Sequence, residues 1–459
     1  MVDRHNLIFI MTDHQRADSI GMIQDGKEVT PNLNKFAKQS VRFTRAYNTC
    51  PLCVPARTAI ATGENPISNG VVLNKGQRAK NCKTIHEYLY EAGYRVGHVG
   101  IHHIMLEPDL KDRIKFTTWV DDNSYFEYAA DRGIDMKRSS LDEREIEELH
   151  GCKYEKKRYS NARTSVWSYT LESFKDNYFC SNAVEFIKQN YNKDQPFALF
   201  LYFWAPHPPL KVPEPYASKF DPLNLNLPQN VGKFSKNLPS SRFKSVPVQL
   251  AQGLTMEEWR NVWAAHLGLV NLADEAIGRI LKTVEQMGID DDTMILFTVD
   301  HGDHLGQHNM YQKMEMYEQA IRIPLLFKVP SVAPKEFDML VSHLDILPSI
   351  LDLLNIEVTH PFEGVSLKHA IIDGIPPGDR YLYCQYSGNP QIGDIRRAVI
   401  TQQYKYIYDG TIYRELYNLK TDPLEMNNLA DEPDYRDIIN KLHQQCKNWG
   451  ERSGDWVDY

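Results

Sequence analysis

Four predominantly apolar runs, each closed by an aspartate or a histidine, restrict this chain more than any other feature of its sequence. Residues 6–11, 94–100, 197–204 and 294–299 have the density of strands buried on both faces of a parallel sheet. They run into Thr12-Asp13-His14, Ile101-His102-His103, Ala205-Pro206-His207 and Asp300-His301-Gly302. Helical spacing lies between them. Thr30 can cap and Pro31 can open a helix bearing Leu33 and Phe36; Ile85 and Leu89 share a face that stops at Gly93; residues 256–288 repeat apolar positions from Trp259 to Leu281. Further strands are expected at 41–47 and 323–329, and a further helix at 344–355. Strands alternating with helices predict an α/β fold built on a doubly wound, mostly parallel sheet. Such sheets bind ligands beyond the carboxyl ends of their strands, so the four polar endings are expected to converge on one site.

The rest of the chain has a different texture. Residues 121–178 are charged and aromatic without a clear period and read as an insertion, with a surface helix expected over 142–149. Residues 205–250 are rich in Pro, Asn, Ser and Lys, too irregular for regular elements and long enough for a functional loop. Residues 381–386 and 397–408 alternate and are aromatic, as antiparallel strands with one exposed face are, and 434–449 reads as a closing helix. The expected division is an α/β domain over 1–375 and a smaller α+β domain over 376–459.

With 459 residues there is room for two such domains, and 42% hydrophobic with 24% charged residues is ordinary for a soluble globular chain. The formal charge of -8 argues against nucleic acid as a partner. Seven cysteines, an odd number and widely scattered, are not a disulfide framework and suit a reducing compartment. The first apolar run is too short for a signal-peptide core or a membrane span. The expected location is therefore the cytoplasm, with no membrane partner, and secreted or periplasmic only if a leader was trimmed. The oligomeric state is not legible.

The chemistry centres on residues 49–63. Cys53 precedes Pro55 at the mouth of a helix that Gly63 stops, where free backbone N–H groups and the helix dipole favour negative charge. Arg57 follows one turn later, a permanent cation able to fork onto an oxyanion. The segment reads as a nucleophile beside an anion site. Cys50 and Cys53 also form a CxxC pair, which a redox couple or half of a zinc site would use equally well.

Asp13, Asp300 and His301 could hold a divalent cation, with His14 as a further candidate. Carboxylates suit Ca²⁺ or Mg²⁺, whereas His301 and His14 tilt the set toward Mn²⁺ or Zn²⁺. The spacing His301-x-x-His304-x-x-x-His308 offers a separate zinc reading that requires a helix, against which Gly306 speaks. His207 is placed to protonate a leaving group, and Lys313 with Arg57 would counter a substrate's charge. Losing one such preorganised contact costs on the order of 3 kcal/mol of transition-state stabilisation.

Cys53-Val-Pro-Ala-Arg57 through Thr62-Gly63 resembles the signature of type I sulfatases, whose cysteine is oxidised to formylglycine after synthesis. Residues 6–13 resemble that family's first metal strand and Thr30 to Leu33 its next helix. Ala205-Pro206-His207 resembles the leaving-group histidine segment, and residues 298–302 with 306–308, Lys313, Tyr317 and Glu318 resemble the second metal loop and the substrate lysine. Residues 415–419, Asp422-Pro423 and Asn428-Leu429 resemble its C-terminal strand and turn. The resemblance spans nearly the whole chain. It implies an alkaline-phosphatase-like fold, a sulfuric ester hydrolase, one divalent cation (calcium first, then manganese, magnesium or zinc), a formylglycine-generating partner enzyme and a small anionic ester, such as a sulfated sugar, as substrate. It further implies that hydrated formylglycine at position 53 attacks sulfur, that His207 assists the departing alcohol, and that the covalent sulfate then collapses by elimination.

Two positions depart from the pattern. Many sulfatases carry a second aspartate where His14 stands, and many carry Gly-Lys-x-His where this chain has Gly100-Ile101-His102-His103; His103 keeps its place, but the lysine is absent. The segment from Cys50 to Arg57 is also similar to phosphonate monoester hydrolases of the same superfamily. Three readings follow: a sulfatase, a phosphonate monoester or phosphodiester hydrolase with the same machinery, and a non-catalytic binding protein.

Overall fold

In the computed structural model, which describes residues 5–137, 139–410 and 413–459, the apolar runs lie side by side. The central sheet has eight strands: β1 (Asn6–Thr12), β2 (Val41–Tyr47), β3 (Arg95–Gly100), β4 (Thr118–Val120), β5 (Phe197–Tyr202), β6 (Thr293–Val299), β7 (Arg322–Lys328) and β8 (Lys335–Ser342). Their order is β8-β2-β7-β6-β1-β5-β3-β4. β7 runs against both of its neighbours, and the other pairs are parallel. Every residue of β1, β5 and β6 is buried, which is why these segments read as unbroken apolar runs rather than alternating ones.

Three helices position the site. α1 (Cys53–Thr62) follows β2 and ends at Gly63 in the left-handed conformation. α2 (Lys175–Asn190) and α3 (Met256–Met287) pack against each other, and α3 has a Thr255/Glu258 capping box and a left-handed Gly288 at its end. The expected helices over 84–92 and 344–355 are present as Ile85–Glu91 and Ile346–Leu353.

A second, wholly antiparallel sheet contains β9 (Leu382–Tyr386), β10 (Arg396–Ile400), β11 (Tyr404–Tyr408) and β12 (Arg414–Asn418), against which the closing helix α4 (Arg436–Ser453) packs. Buried ion pairs join it to the larger body. Lys405 of β11 reaches Glu318 (2.9 Å) and Glu425 (2.7 Å), and Glu415 of β12 accepts from Tyr317 (2.7 Å) and pairs with Arg242 (2.5 Å). Both attachments grip the segment just after Lys313. Breaking one partner of such a buried pair would strand a charge.

The insertion corrects one expectation. Residues 142–149 do not form the expected helix: Asp142 ends a short 3-10 turn, and Glu143–His150 is a strand, hairpinned onto Lys153–Ser160. Ile146, Glu148 and His150 are buried, a period of two. The strand is fixed from outside the segment: Gln249 bonds both the N–H (2.9 Å) and the C=O (2.6 Å) of Glu147, and Lys156 across the hairpin neutralises Glu145 (2.9 Å). The stretch 205–250 is mainly irregular, but it also contains a strand, Leu210–Val212, paired with Thr164–Val166, and the short helix Val246–Ala251. Among the described residues no helix is long and apolar enough to cross a membrane.

Candidate active site

β6, β1, β5 and β3 are consecutive in the sheet and parallel, so their carboxyl ends form one rim. That rim carries Asp300 and His301, Asp13 and His14, His207, and His103. Two glycines let the backbone turn there. At Gly100 (φ +110) a Cβ would lie 1.9 Å from the Tyr202 carbonyl oxygen, and at Gly302 it would lie 2.0 Å from that of Gln319. β2 delivers Cys53 to the same rim at the first residue of α1. Leu52 gives that helix no side-chain cap; Asn74 accepts the Val54 N–H instead, at 3.1 Å.

The thiol of Cys53 lies 3.7 Å from Asp13 Oδ1 and 3.2 Å from His301 Nε2, and Lys313 Nζ donates to it at 2.7 Å. The same ammonium donates to His14 Nε2 (2.8 Å) and His301 Nε2 (2.9 Å). His14, with φ 63, turns its Nδ1 to Asp303 Oδ2 at 2.9 Å. Two overlapping groups of ligand atoms, each within 4.8 Å of one another, result: Asp13, His14, Cys53 and His207, and Asp13, Cys53, Asp300 and His301.

Arg57 behaves differently from the expectation that it faces the substrate. Its Nη2 donates to Asp13 (2.7 Å), its Nε to Asp300 (2.8 Å) and its Nη1 to the Ile101 carbonyl. Fully buried, it spends its fork on the two carboxylates and holds them beside the cysteine. His207 is partly exposed, stacks over Trp204 at 4.0 Å between centroids, and engages the Pro208 carbonyl through Nδ1. His103 is partly exposed as well, and its buried Nδ1 has no hydrogen-bond partner.

Burial dominates the electrostatics and disfavours charge on each group. It lowers His14, His207, His103 and His301, the last to about 3, so these imidazoles are neutral. Burial, then Asp13, pushes the Cys53 thiol up to about 12. Burial and the adjacent Asp300 raise Asp13. For Asp300 burial acts the same way, but Arg57, His301 and Lys313 outweigh it and hold the carboxyl low. Lys313 stays charged because Cys53, Asp13 and Asp300 outweigh its burial.

All the residues expected from the sequence therefore meet: Asp13, His14, Cys53, Arg57, Asp300, His301 and Lys313 interlock, and Cys53, His103, His207 and Lys313 line one cavity of about 640 Å³. The CxxC partner Cys50 and two of the three histidines of the zinc spacing, His304 and His308, fall outside the two ligand groups. Cys50 is a buried free thiol, and His304 and His308 sit in non-helical backbone, His308 stacked on Tyr317 at 4.1 Å. Three supporting residues escaped the sequence reading. Asp303 orients His14, Asn74 caps α1, and Asp176 of α2 accepts the N–H groups of Trp204 (2.8 Å) and Ala205 (3.0 Å), fixing the turn before His207. Only Asp303 left a trace, three residues after Asp300.

The donor set is suited to a divalent cation: the carboxylates of Asp13 and Asp300 and the neutral imidazoles of His14 and His301 surround position 53, and all four are buried. Comparison with known proteins agrees with the fold. The sulfatase family model matches residues 5–356, and that of the N-sulphoglucosamine sulphohydrolase C-terminal region matches residues 306–452. An arylsulfatase of Clostridium perfringens (strain 13 / Type A) is 26% identical over 458 residues, covering 96% of this chain and 93% of its own. An N-acetylglucosamine-6-O-sulfatase of Bacteroides thetaiotaomicron is 24% identical over 523 residues, covering 98% and 88%. In structure, the phosphonate monoester hydrolase of Agrobacterium radiobacter superposes with a TM-score of 0.79 at 20% identity, covering 98% of this chain and 96% of that one. The chain belongs to the sulfatase family, as a type I sulfuric ester hydrolase of the alkaline phosphatase superfamily.

Proposed function

We propose that this enzyme hydrolyses the sulfate monoester of a sugar or another small alcohol, using formylglycine made from Cys53 and one divalent cation. The observation that carries the reading is position 53 itself: a side chain at the buried mouth of α1, in contact with Lys313 and His301, at the floor of an open cavity. Asp13, His14, Asp300 and His301 would hold the cation, which would supply positive charge to the nucleophile and to the transferring group, and residue 53, once oxidised, would supply a hydrated aldehyde oxygen in place of sulfur. Arg57 holds the two carboxylates in place, and Lys313 brings a fixed cation to the ester oxygens. His207 lines the cavity and donates its Nδ1–H to the Pro208 carbonyl, which leaves the Nε2 lone pair to take up a proton and relay it to the departing alcohol.

A second reading, a phosphonate monoester or phosphodiester hydrolase, is favoured by Ile101, which brings no second cation to the anion site. Mass spectrometry of the residue 53 peptide from natively produced, active protein, together with kcat/KM on matched aryl sulfates and aryl phosphonates, tests both. Formylglycine at 53 and the larger constant on sulfate are expected. An unmodified thiol in active enzyme removes the mechanism, and a larger constant on phosphonate transfers the assignment to the second reading.

A further inference from the structure

The cavity above Cys53 is far larger than a sulfate group requires, and its charges are unevenly neutralised. At about 640 Å³ it falls among pockets that enclose a whole small ligand, for which ~300–1,000 Å³ is usual. Six cations line it against two carboxylates, and one of the six, Lys313, belongs to the site already described. Lys175 is bonded to Asp122 (2.8 Å), and Lys211 to Asp142 (3.0 Å) just outside the lining. Lys75, Lys137 and Arg158 are exposed at its mouth and have no ion-pair partner among the described residues. Arg158 faces Glu145 across the hairpin, but Lys156 has already taken that carboxylate at 2.9 Å. The second lining carboxylate, Asp135, accepts the backbone N–H of Lys137 at Oδ1 (2.9 Å) and forms no ion pair with its ammonium. On a chain of net charge -8 this rim is a local positive exception.

The aromatic wall points the same way. Lys175 Nζ lies 5.1 Å from the ring centroid of Trp204, 5.1 Å from that of Phe126 and 5.2 Å from that of Tyr125, so these faces are already engaged by a cation and do not form a cage for a cationic alcohol. Trp167, also in the lining, has a buried indole N–H with no partner, a donor for a ligand oxygen.

We propose that the alcohol carrying the scissile sulfate bears a second anionic group, sulfate or carboxylate, which Lys75, Lys137 and Arg158 bind at the mouth of the cavity. The substrate class is thus a polyanionic saccharide rather than a neutral or cationic alkyl sulfate. The inference rests on the sulfatase reading for its scissile group and on the cavity alone for its second anion.

Two measurements separate these. The first compares kcat/KM for an aryl sulfate, a monosulfated disaccharide, and the same disaccharide with a second sulfate or with a uronate carboxylate, in wild type and in Lys137→Ala/Arg158→Ala. The second anion is expected to raise kcat/KM roughly tenfold, an advantage that shrinks with added salt and is lost in the double variant while the aryl sulfate rate is unchanged. Either anionic arm showing the gain supports the proposal, and the larger one names the group. Equal constants for singly and doubly anionic disaccharides, or a ratio that survives the double variant, overturn it. The second measurement is calorimetric binding of the disulfated and the unsulfated disaccharide to Cys53→Ser protein, which needs no turnover. Tighter binding of the disulfated sugar that depends on Lys137 and Arg158 upholds the anion subsite even if aryl sulfate is not hydrolysed; equal binding discards it even if aryl sulfate is.

Discussion

Asp303 Oδ2 lies 2.9 Å from Nδ1 of His14, and on the far side of the ring Nε2 lies 2.8 Å from Lys313 Nζ. The carboxylate holds the imidazole proton on Nδ1 and so leaves the Nε2 lone pair facing the cysteine, as an outer carboxylate does for a metal-bound histidine. Oδ1 of Asp303 is separately committed to the N–H groups of Leu305 and Gln312, both at 3.0 Å, so the side chain cannot rotate away.

Asp303→Asn keeps those two backbone bonds and turns an NH₂ toward His14. The ring must then accept at Nδ1 and carry its proton on Nε2, where it opposes a cation. Metal affinity measured by calorimetric titration is expected to fall about 10–100-fold, with little change in the urea midpoint of the metal-free protein. Unchanged affinity would remove His14 from the ligand set.

His14→Asp replaces an imidazole by a hard oxygen donor. The ratio of Ca²⁺ to Mn²⁺ affinity is expected to rise, read from metal content after dialysis against equal concentrations of both ions. A ratio that stays constant shows that residue 14 does not touch the ion.

Arg57→Ala leaves Asp13 and Asp300 facing each other in a dry site. Metal-free protein is expected to lose about 3–5 kcal/mol in urea unfolding, the usual cost of stranding buried charge. Divalent cation restores part of it, because an ion that binds only the folded state substitutes for the guanidinium. A loss below about 1 kcal/mol, the scale of an exposed pair, would contradict the buried fork.

Asp176 links the His207 turn to pH. Burial raises its carboxyl to about 6, while Trp204 and Ala205 N–H groups restrain the rise. A raised pKa means the folded state keeps a proton that the unfolded chain releases near 3.8, so this group's contribution to stability falls as pH rises from about 4 to 6. The two-unit gap corresponds to about 3 kcal/mol at most. In Asp176→Asn that component of the slope should vanish from urea midpoints measured across the interval; an unaltered slope would show that the carboxyl titrates normally.

Much of the fold was legible because buried parallel strands are written locally. Residues 41–47 form β2 as expected, Gly63 and Gly288 stop their helices, and Asp13, His207, Asp300 and His301 stand one to five residues beyond β1, β5 and β6. The glutamate-rich stretch 142–149 was misread because its partner strand, Gln249 and Lys156 decide its conformation. The helix Lys175–Asn190 was hidden at the edge of a segment without a clear period.

By itself the sequence determined the buried strands of the central sheet, the polar endings that carry the candidate catalytic groups and the family to which the chain belongs, since burial on both faces and cap residues act over a few positions. Tertiary structure alone decided how those groups are used. Asp303 reaches His14 across 289 residues of chain, Arg57 crosses 243 to reach Asp300, and Lys313 crosses 260 to reach Cys53. Arg158 stands opposite Glu145 in the hairpin, yet it is Lys156, from the position opposite Glu147, that takes the Glu145 carboxylate. Pairings at such separations depend on which strand ends the sheet sets side by side, and no local period in the chain encodes them.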